Sequence, residues 1–160
     1  MDKIVGLREI KRIRAELRKK RKILVFTNGC FDLIHRGHIE YLKKAKSFGD
    51  FLIVAVNSDS SVSKIKGKER PLIPLSDRLF ILSHFAFIDF LISFDEETPE
   101  HMLNVILPDV LVKGSDYSED EIVGADIVKS NGGKVITIPF IKGKSSSGII
   151  EKILKRYRGK

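Results

Sequence analysis

The sequence is poor in cysteine and tryptophan, with one cysteine and no tryptophan in 160 residues. A single cysteine cannot form a disulfide within the chain, so we expect a protein of a reducing compartment. No apolar run approaches the roughly 20 residues of a membrane-spanning helix, and the N-terminal residues lack the apolar segment of a secretory signal. These absences predict a cytoplasmic protein without a membrane anchor.

Positive charge is abundant but unevenly placed. The formal net charge is +8, yet residues 1–22 carry ten Lys and Arg against three Asp and Glu, and residues 151–160 carry five against one. The segment between them, residues 23–150, is slightly acidic. A basic excess confined to two terminal helices is typical of solvated helix faces, and no known nucleic-acid motif accompanies it. We therefore do not expect nucleic acid to be a partner.

The length of the chain predicts one domain with a single apolar core. Its first part, residues 1–20, places apolar side chains three or four positions apart, at Leu7, Ile10, Ile13 and Leu17. This spacing predicts an amphipathic helix, which must pack either on the edge of a sheet or on a second subunit. We expect a homodimer that buries part of this apolar stripe.

The remaining core, residues 21–160, alternates short apolar segments with helical patterns. The five apolar segments are residues 23–26, 51–56, 87–92, 110–112 and 135–138. This alternation predicts an α/β Rossmann-like fold with a five-stranded parallel sheet, in the order 3-2-1-4-5, and helices on both faces. Ligands bind such sheets at the carboxyl ends of the strands, beside the switch between strands 1 and 4.

The strongest candidate site follows the first predicted strand. The strand ends at Thr27-Asn28-Gly29, and a helix is predicted to begin at Gly37-His38. The N–H groups of the glycine turn and the positive end of the helix dipole point to one place, so this unit predicts an anion site. His35 and His38 stand three positions apart at the mouth of the helix, where both rings can donate hydrogen bonds to phosphate oxygens.

A zinc site is a weaker interpretation of the same segment. Cys30, Asp32, His35 and His38 are possible ligands by type, but no second cluster of Cys or His completes the geometry, and HExxH is absent. A single histidine beside a loop is more often an ordinary polar residue. Two histidines beside a glycine turn favour phosphate binding.

Further polar residues follow the other predicted strands. The segment 63–71 is a cationic loop rich in Gly and Pro, whose lysines can reach a triphosphate. Lys113 and Gly114 form a turn after the fourth strand, and Ser145-Ser146-Ser147 begin the last predicted helix. A hydroxyl-rich helix N-terminus is suited to a phosphate. The GKSS string is not a P-loop, because Ile138 occupies the position of the first glycine.

The ordered motifs carry a family resemblance. They are TNGCFD, HxGHxxYL, VAVNSD, KGKERP, the arginine of SDR, FDEETPE, LPDVLVKGSDY and a serine-rich segment before the last helix. From about Leu7 to Leu154, the chain resembles the HxGH nucleotidyltransferase superfamily, whose members join a nucleoside monophosphate to a phosphorylated or carboxylated substrate and release pyrophosphate. The most similar branch is the heptose 1-phosphate adenylyltransferases, free-standing or as the C-terminal half of a bifunctional heptose kinase.

The resemblance implies a set of functional residues. Catalytic roles are expected for His35, His38, Lys66 and Arg78. The nucleotide is expected to contact Phe26, Thr27, Asn28, Gly29, Cys30, Phe31, His35, Gly37, His38, Lys66, Lys113, Gly114, Asp116, Ser145, Ser146 and Ser147. The acceptor is expected to contact Asp32, Asn57, Asp59 and Lys113. Lys66 is the best positional match to the family lysine that contacts phosphate, with Lys64 and Lys68 as alternatives.

The function that the resemblance implies is transfer of AMP from ATP, with Mg²⁺, to D-glycero-β-D-manno-heptose 1-phosphate. The products would be ADP-heptose, for lipopolysaccharide core biosynthesis, and pyrophosphate, and a separate heptose kinase would be a functional partner. The attacking phosphate oxygen is already anionic, so the site needs no general base. It must position two polyanions and stabilise the charge that develops on the leaving group.

Other functions remain open at this point. The chain could be a cytidylyltransferase for glycerol or ethanolamine phosphate, or an FMN adenylyltransferase of archaeal type. Phe140 stands where the cytidylyltransferase version of the second signature has an arginine, which weakens that alternative. From another class, the chain could be a non-catalytic nucleotide-binding module whose basic ends dock RNA.

Overall fold

A five-stranded parallel sheet in the order β3-β2-β1-β4-β5 forms the centre of the molecule. The computed structural model describes residues 3–114, 122–141 and 143–158. Its elements are α1 (Leu7–Lys19), β1 (Leu24–Gly29), α2 (Arg36–Lys46), β2 (Phe51–Asn57), α3 (Asp59–Lys66), α4 (Leu75–Ser83), β3 (Phe90–Phe94), α5 (Glu100–Ile106), β4 (Val110–Gly114), α6 (Ala125–Ser130), β5 (Lys134–Ile138) and α7 (Ser146–Tyr157). The predicted fold and strand order are confirmed.

Two apolar cores lie on opposite faces of the sheet, because successive strand residues point to opposite sides. Leu24 and Phe26 of β1 face a core shared with α1, α5 and α6. Val25, between them, faces a second core shared with α2 and α4. Since both faces are covered, the strands are almost continuously apolar, as the sequence pattern indicated.

The strand boundaries differ from the predicted ones mainly at β1 and β3. β1 continues through the predicted turn to Gly29, because Thr27 to Gly29 still pair with β2. β3 begins at Phe90 rather than Phe87, because the Asp89 carboxylate accepts the Leu52 N–H at 2.7 Å in place of a ladder bond. Phe87 and Ile88 pack instead into the core on the α2 and α4 face.

The N-terminal apolar stripe is used within the chain. Ile10 and Leu17 are buried, and Leu7 and Ile13 pack against the same core. Before this helix, residues 3–5 extend along the edge of β3, where Val5 N donates to Leu91 O at 2.9 Å. Ile10 and Leu17 are therefore used by the chain's own core, whereas Leu7 and Ile13 are only partly covered, and the homodimer stays a prediction.

Aspartates precede three of the five strands and bind main-chain N–H groups of a neighbouring strand. Asp50 accepts from Ile23 N at 2.8 Å, Asp89 from Leu52 N at 2.7 Å and Asp109 from Leu24 N at 2.8 Å. Each also binds a cation. The partners are Lys22 for Asp50, Lys46 for Asp89 and Arg14 for Asp109. The amino end of the sheet is thus closed by paired charges.

The last helix differs from its prediction in burial. Ile149 and Ile150 are partly covered, but Ile153 and Leu154, which were expected to point inward, are 49% and 44% exposed. α6 begins at Ala125, and residues 119–121 of the helix predicted there lie outside the described residues. None of the described helices is long and apolar enough to cross a membrane.

Candidate active site

A cavity of about 690 Å³ opens at the carboxyl ends of the strands, above β1 and β4. Its walls come from the β1–α2 loop, the start of α2, the end of α3, the end of β4 and the start of α7. The lining residues are Asn28, Gly29, Cys30, Phe31, Asp32, His35, Gly37, His38, Tyr41, Asn57, Ile65, Lys66, Arg70, Glu97, Lys113, Gly114, Phe140, Ile141, Gly143, Lys144, Ser145, Ser146 and Ser147.

The two histidines form one unit at the start of α2. Their rings stack with centroids 3.9 Å apart and planes at 19°, and Phe31 packs edge-on against His38 at 5.4 Å. The Nδ1 atoms of both histidines are buried and have no hydrogen-bond partner among the described residues. An unpaired lone pair costs less than an unpaired N–H, so we place the proton of each ring on Nε2. Each ring then has one donor for an anion.

Burial keeps both rings neutral near pH 7. Burial, with a smaller contribution from the adjacent His35, lowers the pKa of His38 to about 4. Burial also lowers the pKa of His35, with a second contribution from the positive charge of Lys144. The rings therefore provide hydrogen-bond donors rather than fixed charges. The positive charge of the site comes from its lysines.

Asp32 connects the loop between β1 and α2 to the chain around Arg70, and its side chain is 1% exposed. Its carboxylate accepts from Arg70 Nε at 2.6 Å, from Leu72 N at 2.9 Å and from Ile73 N at 2.8 Å. These bonds also lower the pKa of Asp32 against the opposing effect of burial. Asp32 lines the cavity and at the same time joins two loops, so its predicted contact with the acceptor stays a prediction.

Arg78 does not reach the cavity. Its side chain is fully buried, and its guanidinium donates to Cys30 O, to Ile73 O at 3.0 Å and to Asp59 Oδ1 at 2.8 Å. Arg78 therefore positions the loop that carries Cys30 instead of contacting a phosphate, which corrects its predicted catalytic role. Asp59 is corrected with it, because it pairs with Arg78 and does not line the cavity.

Lys66 is the lysine of its segment that lines the cavity. It is the last residue of α3, whose N-cap Ser58 accepts from Ser61 N. Lys64 and Lys68 are absent from the lining, so Lys66 is the one of the three predicted alternatives that lines the cavity. Asn57 also lines the cavity, although it is buried and its Nδ2 donates to Ser61 Oγ at 2.9 Å.

Lys113 and Asn28 meet where β4 and β1 end. Lys113 Nζ donates to Asn28 Oδ1, and burial lowers the pKa of Lys113 to about 8. The following Gly114 leaves room for an aromatic ring, because a Cβ there would lie 2.0 Å from Cζ of Phe140. Phe140 and Tyr41, with ring centroids 6.2 Å apart, form an aromatic wall of the cavity.

The start of α7 contributes the serines that the sequence predicted. Ser145 caps the helix by accepting from Gly148 N at 3.0 Å, and Ser146 Oγ donates to Leu33 O at 3.0 Å. The adjacent Lys144 was missed, although its position directly before the serines was a signal. Gly37 allows it to approach, because a Cβ on Gly37 would lie 3.2 Å from Cβ of Lys144.

Phe26 and Thr27 do not line the cavity and are corrected as nucleotide contacts. Phe26 is buried in the core and pairs with strands on both sides. Thr27 is buried, and its hydroxyl lies 2.8 Å from the Tyr41 hydroxyl. Asp116 lies outside the described residues. The cavity residues that sequence reasoning missed are Tyr41, Ile65, Arg70, Glu97, Phe140, Ile141, Gly143 and Lys144.

The family follows from a match over most of the chain. A family model described as cytidylyltransferase-like matches residues 26–152, which contain both histidines, Lys66, Lys113 and the serines of α7. This chain belongs to the cytidylyltransferase-like family. The predicted membership of the nucleotidyltransferase superfamily is confirmed, and the chain is a nucleotidyltransferase.

The chain is similar to proteins named Bifunctional protein HldE, two of which show the extent of the likeness. The one from Syntrophotalea carbinolica is 46% identical over 157 residues, covering 98% of this chain and 32% of the relative. The one from Geobacter sulfurreducens is 47% identical over 155 residues, covering 97% and 32%. The chain thus spans about a third of the length of these relatives.

Two solved structures share the family fold. The lipopolysaccharide core biosynthesis protein from Thermoplasma volcanium superposes with a TM-score of 0.62 at 29% identity, covering 77% of this chain and 99% of that one. Pantoate-beta-alanine ligase from Francisella tularensis superposes with a TM-score of 0.64 at 18% identity, covering 95% of this chain and 78% of that one. At 18% identity, the second likeness shows the fold alone.

Proposed function

We propose that this chain transfers AMP from ATP to a sugar 1-phosphate, D-glycero-β-D-manno-heptose 1-phosphate, and releases ADP-heptose and pyrophosphate. The observation that carries the proposal is the convergence of three lysines, two neutral histidines and a serine-rich helix start on one cavity. These lysines, Lys66, Lys113 and Lys144, come from three different elements. No ion pair between described residues involves any of the three, so their charge remains for a polyanion.

The reaction balances with two phosphates and no proton transfer. An acceptor phosphate oxygen forms a bond to the α-phosphorus of ATP, and the bond from that phosphorus to the bridging oxygen of the β-phosphate breaks. The electron pair leaves with pyrophosphate, so negative charge grows on the leaving oxygens. In the proposed reaction, His35, His38, Lys66 and Lys144 stabilise that charge, and Lys113 orients the two phosphates that react.

Adenine is the base that we propose for the nucleotide. Phe140, Tyr41 and Ile141 give the cavity an aromatic and aliphatic wall suited to stacking with a base. Phe140 also stands at the position of the arginine in the cytidylyltransferase version of the motif, so a cationic contact is missing there. This replacement supports ATP over CTP.

Magnesium fits this proposal only as a partner of the triphosphate. Within the described residues, no group of three or more His, Cys, Asp or Glu is close enough to hold a metal ion, and Asp32 is already bound to Arg70. Bound to ATP, Mg²⁺ would neutralise phosphate charge. Dependence on ATP and the single cysteine support a cytoplasmic location. A separate heptose kinase would supply the phosphorylated acceptor.

A panel of acceptors tests the proposal. The purified chain is incubated with ATP or CTP and with heptose 1-phosphate, mannose 1-phosphate, glycerol 3-phosphate, ethanolamine phosphate or FMN, and released pyrophosphate is measured. We expect the highest kcat/KM with ATP and heptose 1-phosphate. Faster turnover with CTP and glycerol or ethanolamine phosphate would make the chain a cytidylyltransferase. Turnover with ATP and FMN would make it an FMN adenylyltransferase. Absence of pyrophosphate under all conditions would favour a binding module.

A further inference from the structure

A second cavity of about 220 Å³ lies beside the larger one, on the side of the sheet that α5 and α6 cover. It is lined by Asn28, Glu97, Thr98, Pro99, Lys113, Ile122 and Val123. Asn28, Glu97 and Lys113 belong to both cavities, so the two spaces meet at the ends of β1 and β4. The function proposed above leaves this second space without a role.

The smaller cavity combines polar groups that suit a sugar ring. Glu97 supplies a carboxylate, and no hydrogen bond or ion pair engages it within the described part of the chain. Thr98 adds a hydroxyl, whose proton is donated to Glu100 at 2.9 Å, and Asn28 adds an amide. Pro99 and Ile122 provide buried apolar surface. Carboxylate and amide groups bind hydroxyls, and an apolar floor packs against ring C–H groups.

Lys113 lies at the boundary between the two spaces. Its ammonium is largely buried and bonds to Asn28, which also belongs to both cavities. Three donors are available on an ammonium, and Asn28 uses one of them. The others can bind phosphate oxygens on either side, so a phosphate held there would lie next to the α-phosphate of a nucleotide in the larger cavity.

We propose that the smaller cavity is the acceptor pocket, and that Glu97 selects a polyhydroxylated acceptor by binding its ring hydroxyls. This inference rests on the proposed function and adds to it where the acceptor binds. The acceptor phosphate lies at Lys113, and the ring points toward Thr98 and Pro99. Attack then comes from the α5 and α6 side of the sheet, while pyrophosphate leaves toward the histidines and α7.

The size of the pocket agrees with one ring. Its volume of about 220 Å³ is on the scale of one sugar ring and about a third of that of the larger cavity. Glycerol phosphate would leave much of it empty. A carboxylate would also attract the ammonium of ethanolamine phosphate, so the test must separate a charged amine from neutral hydroxyls.

The experiment compares Glu97→Ala and Glu97→Gln with wild type in the full chain, using ATP and heptose 1-phosphate. We expect Glu97→Ala to raise the acceptor KM at least tenfold. Glu97→Gln retains a hydrogen-bonding side chain and should raise the KM for heptose 1-phosphate less. If Glu97 instead selected an amine, both variants would lose turnover with ethanolamine phosphate and keep the wild-type KM for heptose 1-phosphate. The Kd of a non-hydrolysable ATP analogue, measured by calorimetry without acceptor, should stay within twofold in both. Glu96→Ala, an exposed neighbour outside both cavities, is the matched control.

The outcomes separate this inference from the proposed function. If wild type releases pyrophosphate but Glu97→Ala keeps the wild-type acceptor KM, the pocket assignment is wrong and the function stands. Equal losses in Glu97→Ala and Glu97→Gln would also overturn recognition of hydroxyls. If wild type releases no pyrophosphate with any acceptor, the proposed function is wrong, and the assignment of the acceptor pocket is wrong with it. Thermal unfolding of each variant checks that the fold is intact.

Discussion

Both ends of the parallel sheet carry charged residues, but in the described part of the chain those at the amino end form ion pairs and the lysines at the carboxyl end do not. At the amino end, Asp50, Asp89 and Asp109 each bind a main-chain N–H and a cation. At the carboxyl end, Lys66 and Lys113 line a cavity, and no carboxylate among the described residues pairs with them. Charges that are compensated within the chain serve stability, whereas charges left uncompensated around a cavity are available to a ligand.

The same distinction applies inside the site. Arg78 and Asp32 belong to motifs of the family resemblance, yet both are fully engaged within the chain. They shape the loop that carries the histidines. Lys66, His35 and His38 face the cavity itself. Substitutions should therefore separate into those that unfold the protein and those that leave a folded but inactive protein.

The largest effect is expected at the amino end, from Asp109→Ala. This change leaves Arg14, which is 5% exposed, without its bidentate partner and removes the acceptor of Leu24 N. Arg14 is buried but the Asp109 side chain is 38% exposed, so water partly screens the pair, and we expect a loss of about 3 kcal/mol of unfolding free energy, at the lower end for buried pairs. Urea unfolding measures it. The matched control is Glu16→Ala, which removes an exposed ion pair with Lys19 on α1, the helix that carries Arg14. It should change the unfolding free energy little.

At the carboxyl end, His38→Ala should lower kcat about 100-fold or more, because it removes a donor aimed at the leaving phosphates. Its urea midpoint should stay near the wild-type value, opposite to the result for Asp109→Ala. His35→Ala should behave alike, and the double variant should lose less than the product of the two single losses. Near-normal turnover in either single variant would remove that histidine from the mechanism.

Lys66→Ala should raise the nucleotide KM about tenfold and lower kcat, since charge-assisted bonds contribute about 1.5 to 3 kcal/mol. The control is Lys64→Ala, which removes the same charge from the same helix at a position outside the cavity lining. Steady-state kinetics at fixed acceptor measure both. Equal effects of the two variants would mean that the general charge of α3, rather than one lysine, attracts the nucleotide.

Lys144→Gln should have a smaller effect, a rise of a few-fold in nucleotide KM. Lys144 is exposed, so its attraction for a phosphate is screened by salt, and the difference from wild type should shrink as ionic strength increases. Lys152→Gln, an exposed position further along α7, serves as the control. A salt-independent effect would indicate a direct buried contact in place of a screened attraction.

The smallest predicted effect concerns pH. In the folded protein the pKa of His38 is lowered to about 4 from the ordinary histidine value of 6.5. Between these two pH values the unfolded chain therefore binds more protons than the folded protein. Stability should therefore decrease as pH falls through this window. We expect His38→Gln to reduce the loss of Tm between pH 7 and pH 5 by about 2 to 4 °C. Equal losses in the variant and in wild type would contradict the buried neutral ring.

The sheet and half of the site were predictable because they follow from local patterns. Apolar segments and glycine turns predicted the strands, the Rossmann-like fold class supplied their order, and the turn after β1 located His35 and His38. Arg78 was misassigned because a motif gives residue type and position but not the direction of a side chain. The aspartates before β2, β3 and β4 did carry a signal, since each directly precedes an apolar segment.

Gly114 and Phe140 constrain the order in which this site can change. A Cβ on residue 114 would lie 2.0 Å from the Phe140 ring, so a larger residue at 114 displaces this exposed ring from the cavity wall. Replacing Phe140 first opens space and meets no clash. A double-mutant cycle should show coupling between the two positions. Gly114→Ala should lower stability in the wild-type background and lower it much less in the Phe140→Leu background. Conversion toward an arginine-containing cytidylyltransferase site therefore meets the smaller obstacle when it begins at position 140.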